Sequence, residues 1–541
     1  MNILIVESRA KCKTLLKYLG KSEWRVLPTG GHVRRLPVDR KIHPPKEVKK
    51  AYWSNQPDEL PNPPWFWTER GEAAVRAITD EAAKHKSVRF FLATDPDREG
   101  ELIAWHLEGL LSDLGPCERV TFDEITKPAV LAAVASPRGL DRSMVDAALV
   151  RTFIDRLVGW RASKIAKHFT TSFTNSMGRV QTPTLGFVVE REMEREAHVP
   201  VRYFEVLATT ILTDWRVRFH EKSSPDAWVD EKGKFSAHRT ANDQLAQSAY
   251  SALAAARKIE IDAVKRREKS QFPNPPFSTD ALLQAAGSRW GWSPKKTAAL
   301  AGQLYEAGHL TYIRTDSTRL AAEAVEAGRD VITGTWGAGL LGTLPDGEVA
   351  SGAQDAHEAI RPTQLEVENL PDLEKDVQKL YALVRARTLA SLMAPSQRVT
   401  LSLVARCEGL DRTLDGAVGW YAEPGWRRAF SAASLEDAGD QTELIVTPGQ
   451  ILDLMPGEDG RENPELREDQ TRPPARYKAH TLVKAMKDGG IGRPSTYATT
   501  VERLEERKYI IIEEGALAPT ENGRNIWLKA APLFALSDDR E

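Results

Sequence analysis

The sequence contains little cysteine. Its three cysteines, Cys12, Cys117 and Cys407, lie far apart among 541 residues, and no CxxC pair occurs. The missing pairs exclude a zinc ribbon and argue against a disulfide framework, so we expect neither zinc nor an oxidising compartment. A reducing cytoplasm fits this cysteine usage best.

Long apolar runs and phosphate-binding loops are missing as well. No stretch approaches the roughly 20 apolar residues of a membrane-spanning helix, and the short apolar start of the chain has its basic residues after it, unlike a secretion signal. No GxxxxGK[ST] loop is present, so the sequence offers no common ATP-binding device. With 41% hydrophobic and 28% charged residues, the composition is typical of a globular protein of several domains.

Charge of one sign is not in excess, since the net charge is −2. This excludes a uniformly basic coat for nucleic acid but leaves room for a local one. Residues 151–181 form such a basic segment, in which one acid, Asp155, stands among these cations: Arg151, Arg156, Arg161, Lys164, Lys167 and Arg179. On charge alone, a solvated helix face is the preferred interpretation over a nucleic-acid contact.

Two branched apolar runs, each followed by a helical pattern, stand in the first 100 residues. They are NILIVE (residues 2–7) and VRFFLAT (residues 88–94). A buried strand followed by a helix, occurring twice, predicts a parallel α/β sheet. Glu7 ends the first run and Asp95 follows the second, and sites in open α/β sheets form at the carboxyl ends of the strands. We therefore expect these two acids to converge.

The pattern changes beyond about residue 140. Apolar residues recur every three or four positions from Val145 to Trp160, which predicts an amphipathic helix. Strand-like patterns occupy about 201–265 and return at about 398–455, in RVTLSLVARC and TELIVTPGQILDL, while the intervening 275–395 is mostly helical. This order predicts one β-rich domain interrupted by an inserted helical domain. The segment TRPPAR (residues 471–476) marks the boundary to a final helical stretch.

The segment ATDPDREGE places Asp95, Asp97 and Glu99 at alternate positions. In an extended loop alternate side chains share a face, and three carboxylates on one face suit a hard cation such as Mg2+. Alternatively, Asp95 caps the next helix and the glutamates favour its positive end. For this segment alone the two interpretations are equally good. Glu7 on the other strand and the missing phosphate loop favour the metal.

Tyr312 stands two residues before Arg314 in LYEAGHLTYIRTDST. Ser293 and Pro294 predict the start of the preceding helix and Gly308 its end, so HLTYIRT is predicted to be a short strand. A phenol beside a cation can attack a phosphodiester, because the cation stabilises the growing charge. A strand tyrosine packed on a sheet is the plainer interpretation, and the segment alone favours it.

Taken together, the motifs resemble the type IA DNA topoisomerases, most closely the bacterial topoisomerase I branch. The stretches that carry the resemblance follow the family's order over nearly the whole chain: ILIVESRAK, GHVRRLP, ATDPDREGELIAWHL, FDEIT, DRLVGW, GRVQTPTL, LYEAGHLTYIRTDST, AHEAIRP, RPPARY and GIGRPSTYA. As a set they are highly specific, although several are weak individually.

The resemblance implies a multidomain toroid with a TOPRIM parallel α/β sheet, helical gate domains and a β-rich arch. The expected domains are a TOPRIM domain at 1–140 with a gate-domain excursion near 37–65, a helical DNA-binding gate domain at 141–200, the arch at 201–272, the inserted helical domain with the nucleophile at 273–395, the rest of the arch at 396–470, and the rest of the gate domain at 471–541.

The resemblance also implies the site residues. Tyr312 matches the nucleophile that forms a 5′-phosphotyrosine link, and Glu7 matches an acid/base residue near the leaving oxygen. Like-charged neighbours are expected to raise the pKa of Glu7. The further matches are the catalytic residues Lys11, Arg314 and His357, the Mg2+ ligands Glu7, Asp95, Asp97 and Glu99, and the DNA contacts His32, Arg151, Arg156, Ser176, Met177, Gly178, Arg179, Val180, Gln181, Arg314, Thr496 and Tyr497.

The implied function is ATP-independent relaxation of negatively supercoiled DNA. The enzyme is expected to use Mg2+, to cut a single-stranded segment, to pass a strand and to religate. We expect a cytoplasmic monomer with no zinc and no membrane partner. Two alternatives stay open: another TOPRIM enzyme, such as a nuclease or primase, which needs the acids but no tyrosine, and a non-catalytic single-strand DNA-binding relative.

The chain departs from the family pattern at several positions. Arg9 replaces the proline of ESPAK, Arg35 replaces the acid of RDLP, and Thr152 replaces a second arginine beside Arg151. The family pattern also continues for several helices beyond LAPTENG (residues 517–523). We therefore expect a shortened gate domain, and relaxation that is weak for that reason.

Overall fold

The computed structural model describes residues 1–36, 65–170, 175–343, 357–436, 438–439, 441–457 and 462–535, without the side chains of residues 160, 161, 534 and 535. The gate-domain excursion predicted near 37–65 therefore falls almost wholly outside the described residues. Within them, no helix combines the length and the apolar character that are needed to cross a bilayer.

The N-terminal part is built on a parallel sheet. Its elements are β1 (Asn2–Val6), α1 (Arg9–Leu19), β2 (Trp24–Pro28), β3 (Arg34–Arg35), β4 (Phe66–Trp67), α2 (Gly71–Ala82), β5 (Arg89–Leu92), α3 (Arg98–Leu111), β6 (Cys117–Arg119) and α4 (Lys127–Ala135). The strand order is β2-β1-β5-β6, and every pairing is parallel. The central strand β1 is buried from Ile3 to Val6, as its branched residues require between two helical layers. The predicted parallel α/β sheet is confirmed.

Two long helices follow, α5 (Arg142–Ala166) and α6 (Gln181–Glu196). The Asp141 side chain caps α5 by accepting hydrogen bonds from the backbone amides of Ser143 and Met144. The helix includes the whole stretch from Val145 to Trp160 in which the apolar periodicity was seen, so that prediction is confirmed.

The β-rich part begins with β7 (Arg202–Thr209), β8 (Asp214–Val217), α7 (Asp243–Ala256) and β9 (Lys258–Gln271). The inserted helices are α8 (Thr279–Trp290), α9 (Pro294–Glu306), α10 (Ala322–Trp336) and α11 (Lys375–Ser391), with a 3-10 turn at Ala338–Leu340. Ser293 caps α9 and Pro294 begins it. The positive φ of 82° at Gly308 lets the chain turn away after this helix. Both helix-end predictions are confirmed.

The chain then returns to the sheet with β10 (Ser396–Arg406), β11 (Leu414–Glu423), α12 (Arg427–Ala432), β12 (Ile451–Asp453) and β13 (Glu465–Gln470). The strands form one antiparallel sheet in the order β12-β9-β10-β11-β8-β7-β13. Strands from both chain segments are mixed in it. Where the segments meet, β9 pairs with β10 from Gln271 opposite Ser396 onward. The helical insertion thus leaves and re-enters the sheet at neighbouring strand ends.

Two predicted strands are wrong. HLTYIRT forms only single bridges, Leu310 with Pro362 and Thr311 with Glu124, because loops rather than strands lie on either side of it. In TELIVTPGQILDL only Ile451–Asp453 is a strand. Ile445, in the first half of that segment, is 86% exposed and lacks the buried face that a strand of this sheet has.

The C-terminal part contains α13 (Ala479–Asp488), α14 (Tyr497–Glu506), β14 (Ile510–Glu513), β15 (Ala516–Pro519), α15 (Glu521–Asn525), a π-helical turn at Ile526–Ala530 and α16 (Pro532–Ala535). It shares a core with α5 and α6, in which Leu185, Val189, Leu482 and Leu504 are buried together. The two halves of the predicted gate domain are therefore packed as one body.

Candidate active site

The carboxyl ends of β1 and β5 bring Glu7 and Asp95 together. The strands are adjacent and in parallel register, with Ile5 opposite Leu92. The backbone amide of Asp95 donates a hydrogen bond to Glu7 Oε1 at 2.9 Å. The expected convergence of the two acids therefore occurs, and it follows from the strand pairing.

Asp97 is the residue that caps α3. Its Oδ1 accepts a hydrogen bond from the Gly100 amide at 2.8 Å, so the alternative that made Asp95 the cap chose the wrong acid. Glu99 lies in the first turn of α3. The three acids are consequently not on one face of an extended loop, because the helix begins at Arg98 and rotates Glu99 away.

The hydroxyl of Tyr312 lies against this cap. It donates a hydrogen bond to Asp97 Oδ2 at 2.5 Å, and Arg314 Nη1 donates to the same oxygen at 3.2 Å. The backbone amide of Tyr312 donates to Asp123 O at 2.7 Å, which fixes the segment against the N-terminal part. The tyrosine is only 2% exposed.

The site keeps Tyr312 protonated and Asp97 ionised. Burial raises the pKa of Tyr312 well above its ordinary value, the negative charges of Asp97 and Asp95 raise it further, and Arg314 only partly opposes them. Burial also disfavours the charged form of Asp97, but the charge of Arg314 and the hydrogen bond from Tyr312 outweigh this and lower its pKa. The phenol must therefore lose its proton during any attack, and Asp97 is a weak base for it.

Glu7 has the ionisation behaviour of an acid/base residue. Burial raises its pKa to about 7, and the charges of Asp95 and Asp97 act in the same direction. The expected rise is present, although burial contributes more than the like charges. Lys11, which is 3% exposed, forms an ion pair with Asp95 and lies 4.7 Å from the ring centre of Tyr305.

Glu7, Asp95, Asp97 and Glu99 are the predicted Mg2+ ligands. Carboxylate oxygens suit this cation, yet within the described ranges no three Asp, Glu, His or Cys side chains are grouped to hold a metal ion. Three of the four carboxylates face side chains of the protein instead: Lys11 for Asp95, Tyr312 and Arg314 for Asp97, and His32 and Arg151 for Glu99. Glu7 accepts the hydrogen bond from the backbone amide of Asp95. In this arrangement the residues do not fit the ion, and the predicted ligand set stays a prediction.

Glu99 joins two of the predicted DNA contacts. Its carboxylate lies 3.0 Å from His32 Nε2 and 3.3 Å from Arg151 Nη1. The hydrogen bond from His32 lowers the pKa of Glu99, and it does so more strongly than burial raises it. One acid thus holds the end of the loop after β2 and the middle of α5 at the same edge of the site.

His357 reaches the site from the other side. Its Nδ1 lies 2.8 Å from Asp123 Oδ1, and its ring centre is 5.4 Å from that of Tyr312. Arg361 is held by Glu358 and Glu124. Asp123 was not predicted as a site residue, although it lies in the FDEIT motif. Only the tertiary contact shows that it positions both His357 and the backbone of Tyr312.

The other predicted DNA contacts lie on α5, in the segment 176–181 and at the start of α14. Arg179 forms an ion pair of 3.0 Å with Asp155. It lies within the segment 176–181, in which Gly178, Val180 and Gln181 are half-buried. Met177 and Tyr497 are buried at 5% and 2% exposure, so the structure presents neither to a ligand. Thr496 closes a turn with Arg493. Arg156 lies on α5 and is half-buried.

An open pocket connects these elements. It is lined by Asp97, Arg98, Glu99, Arg151, Arg314, Thr315, Asp316, His357, Arg493, Pro494 and Ser495. Lys487 of α13 reaches across to Asp316 at 3.2 Å. Arg98 and Asp316 were not predicted, though each lies within two residues of a predicted one. A pocket with four arginines and a histidine can bind a phosphodiester. It would lie next to Tyr312, because the lining residues Asp97 and His357 both contact that tyrosine.

The fourth carboxylate of the acidic segment belongs to the core. Glu101 is completely buried and accepts a hydrogen bond from Arg119 Nε at 2.8 Å and another from Arg138 Nη1 at 2.9 Å. The amide of Asp141 donates to it at 2.7 Å. Glu101 therefore joins α3 to β6 and to the start of α5.

Comparison with protein families gives two matches that together span most of the chain. The model of a DNA topoisomerase family matches residues 139–535, and the Toprim domain model matches residues 2–125. The Toprim match coincides with the parallel sheet and the acids at its edge. This confirms the expected fold class.

Similar proteins and structures lead to the same family. Proteins named DNA topoisomerase 1 from Zymomonas mobilis and Escherichia coli are 36% and 34% identical over 97% and 94% of this chain, which spans 42% and 59% of their length. The full-length topoisomerase I structure from Thermotoga maritima has a TM-score of 0.77 and 30% identity, and the match covers 99% of this chain and 83% of that one. The chain thus spans less than two thirds of several curated relatives.

Proposed function

The chain belongs to the DNA topoisomerase family whose model matches residues 139–535, and from this premise we propose that it is an ATP-independent type IA topoisomerase. It cuts one strand in a single-stranded segment of negatively supercoiled DNA, passes a strand through the break and religates it. The free energy for strand passage comes from the supercoiled DNA.

The observation that carries the proposal is the contact between Tyr312 and Asp97. Residues 215 positions apart in the sequence meet at 2.5 Å, so the predicted nucleophile lies at the carboxyl edge of the Toprim sheet. A packed tyrosine of a sheet, the plainer interpretation of the sequence, does not need this position, and HLTYIRT is not a strand.

The proposed reaction exchanges one phosphodiester for another. The Tyr312 oxygen bonds to phosphorus and loses its proton, while the bond to the 3′ oxygen breaks and that oxygen gains a proton. Religation reverses both changes. Glu7, with a pKa of about 7, is suited to give and take the proton at the 3′ oxygen. Arg314 and Lys11 stabilise the charge on the phosphate.

We include Mg2+ in the proposal only because the carboxylate oxygens of the site are donors that this cation prefers. When bound, it supplies positive charge beside the DNA ends. Glu7, Asp95, Asp97 and Glu99 are the hard oxygen donors that would hold it. Since Asp95, Asp97 and Glu99 are paired with side chains of the protein in the described arrangement, binding requires those partners to move.

DNA is the proposed partner, and the open pocket receives a single strand. His32, Arg151, Arg156, Arg179 and the segment 176–181 are the proposed backbone contacts, with Thr496 and Tyr497 contributing after a local rearrangement. We also propose that the protein is monomeric and acts in the cytoplasm, where its DNA is.

A cleavage assay on end-labelled single-stranded DNA tests the proposal. We expect a covalent adduct whose protease digestion leaves a tyrosine on the 5′ phosphate. Cleavage without an adduct would favour the alternative of another Toprim nuclease, and binding without cleavage would favour a non-catalytic relative. A plasmid relaxation assay without ATP completes the test, and a requirement for ATP would contradict the proposal.

A further inference from the structure

The helix α1 carries cations on a side that the candidate active site does not use. Arg9, Lys13 and Lys17 follow one another at intervals of four residues, and Lys21 lies just beyond the helix. All four are exposed, and in the described part of the chain none of them forms an ion pair. We call these four residues the α1 stripe.

The α1 stripe borders a hollow. Its cations line a depression of about 1050 Å³ together with Cys12, Thr14, Leu16, Tyr18, Gly20 and Val26. A half-buried tyrosine and aliphatic side chains thus lie beside a row of positive charge. This combination fits a polymer with phosphates along one side and planar rings on the other.

The direction of α1 connects the hollow to the site. Arg9 is two residues from Glu7, and Lys11 on the opposite side of the helix points to Asp95. A strand that leaves the site beside Lys11 therefore meets Arg9 first and Lys21 last. Successive cations of the helix are about 6 Å apart, which provides one for roughly every two phosphates of a stacked strand.

We propose that the α1 stripe and its hollow bind the single-stranded DNA that continues from the cleavage site. The inference rests on the proposed function for the identity of the strand, but its test is a binding measurement. Arg9 extends the row because this chain has an arginine where the family pattern has proline.

The experiment uses the full chain with Lys13→Gln, Lys17→Gln and Lys21→Gln combined. Arg9 is left unchanged because it is too near Glu7. The control is Lys222→Gln, Lys232→Gln and Lys234→Gln, which removes the same charge from exposed positions in the β-rich part. Both variants are titrated at several salt concentrations with four ligands. These are an oligonucleotide confined to the cleavage site, the same one with a single-stranded tail on its 5′ side, the same one with that tail on its 3′ side, and one with a duplex tail.

We expect the stripe variant to lose the extra affinity that one of the two single-stranded tails provides. Each neutralised phosphate contributes about 0.7 to the salt slope of single-strand binding, so the slope should become shallower by about 2. Between 50 and 200 mM salt this corresponds to roughly a 16-fold smaller loss of affinity. The untailed oligonucleotide should bind and be cleaved as by the wild type, and the control variant should keep the tail's effect.

Three results would overturn the inference: an unchanged slope with both tails, an equal loss for tailed and untailed ligands, or a loss confined to the duplex tail. A failure of the proposed function appears separately, as wild-type protein that forms no adduct on any ligand. In that event the binding data still decide whether the stripe holds a single strand.

Discussion

At the scale of residues, the environment of Tyr312 supports it as the proposed nucleophile more firmly than its burial does. Tyr305 and Tyr312 are in the same buried cluster, at 3% and 2% exposure. Tyr312 alone of the two donates a hydrogen bond to Asp97, beside Arg314. Chemistry at a phenol needs an acceptor for its proton and a cation for the charge. Arg314 is the cation at this position, and Asp97, although a weak base, is the acceptor that the hydroxyl contacts.

We expect Tyr312→Phe to abolish the covalent adduct and to leave single-strand binding within about twofold of the wild type. The reason is that the change removes only the attacking oxygen and one hydrogen bond to a charged acceptor, which contributes about 1.5–3 kcal/mol to folding stability. Denaturing gels of the DNA-bound protein measure the adduct. Tyr305→Phe is the matched control and should still form it, so an adduct that persists in the Tyr312 variant and is lost in the control would reverse the assignment.

Asp95→Asn with Asp97→Asn tests the proposed metal ligands while keeping acceptor atoms for Tyr312 and Arg314. Relaxation should fall by more than about tenfold and lose its response to added Mg2+, whereas cleavage of an oligonucleotide should change by less than about threefold. The amides keep the hydrogen bonds of the site but lack the charge that a divalent cation needs. Equal relaxation by wild type and variant across a Mg2+ titration would show that Asp95 and Asp97 are not the ligands of the Mg2+ that relaxation uses.

At the scale of elements, the network around Glu101 fixes α3 and thereby the cap at Asp97. The carboxylate and the Arg119 guanidinium are both completely buried, and the guanidinium also donates hydrogen bonds to the carbonyls of Leu92 and Thr94 at the end of β5. The strand end, the following loop and the helix are thus held by one charged pair. The position of the site acids depends on it.

Glu101→Gln should lower the free energy of unfolding by roughly 3–5 kcal/mol, because it leaves a buried arginine without its counter-charge. Urea denaturation measures this. Glu72→Gln, which breaks an exposed pair with Arg76, should cost less than about 1 kcal/mol. If both variants unfold at the wild-type urea concentration, the buried pair does not have this role.

The buried pair of Glu101 and Arg119 also makes the free energy of unfolding depend on pH. Burial would raise the pKa of Glu101, but the hydrogen bonds from Arg138 and the charge of Arg119 outweigh burial and lower it. Its contribution to stability is therefore complete above the ordinary glutamate value of about 4.3 and is lost as the pH falls through the lower folded value. The difference between wild type and Glu101→Gln should accordingly shrink below about pH 4. A difference that stays constant down to pH 3 would contradict this.

At the scale of the whole molecule, polar contacts join the inserted helical domain to the N-terminal part and to the C-terminal part. Tyr312 and His357 contact Asp97 and Asp123 of the N-terminal part, and Lys295 of α9 pairs with Glu502 of α14. When such surfaces separate, water replaces the lost polar partners. Separation also exposes apolar contacts to water, because Tyr305 is buried in one cluster with Leu4 and Leu283 in another with Leu482. The proposed strand passage requires this separation.

A crosslink between Lys295→Cys and Glu502→Cys should block relaxation and preserve adduct formation on a short oligonucleotide. A bismaleimide would hold α9 against α14 at this pair, in which Lys295 is exposed and Glu502 half-buried and which is outside the open pocket. Burial raises the pKa of Cys12 and, to about 11, that of Cys117, so the introduced thiols should react first near neutral pH. Each single-cysteine variant, treated with the reagent, is the control. Full relaxation by crosslinked protein would show that α9 and α14 need not separate.

The sequence by itself determined the local elements and the identity of the chemical groups. Branched runs predicted β1 and β5, and Ser293 with Pro294 predicted the start of α9, because strand and helix signals are short-range. The acids at the strand ends and the pair Tyr312 and Arg314 were visible for the same reason. The motif order was enough to indicate the family.

Only the tertiary structure decided what these groups contact. It placed Tyr312 on Asp97, made Asp97 rather than Asp95 the helix cap, and directed Glu101 into the core. It also paired three of the four proposed metal ligands, Asp95, Asp97 and Glu99, with side chains of the protein. It also showed that HLTYIRT is held by loops and not by a sheet. Such contacts join residues up to hundreds of positions apart, and they depend on how whole elements pack, which no local pattern encodes.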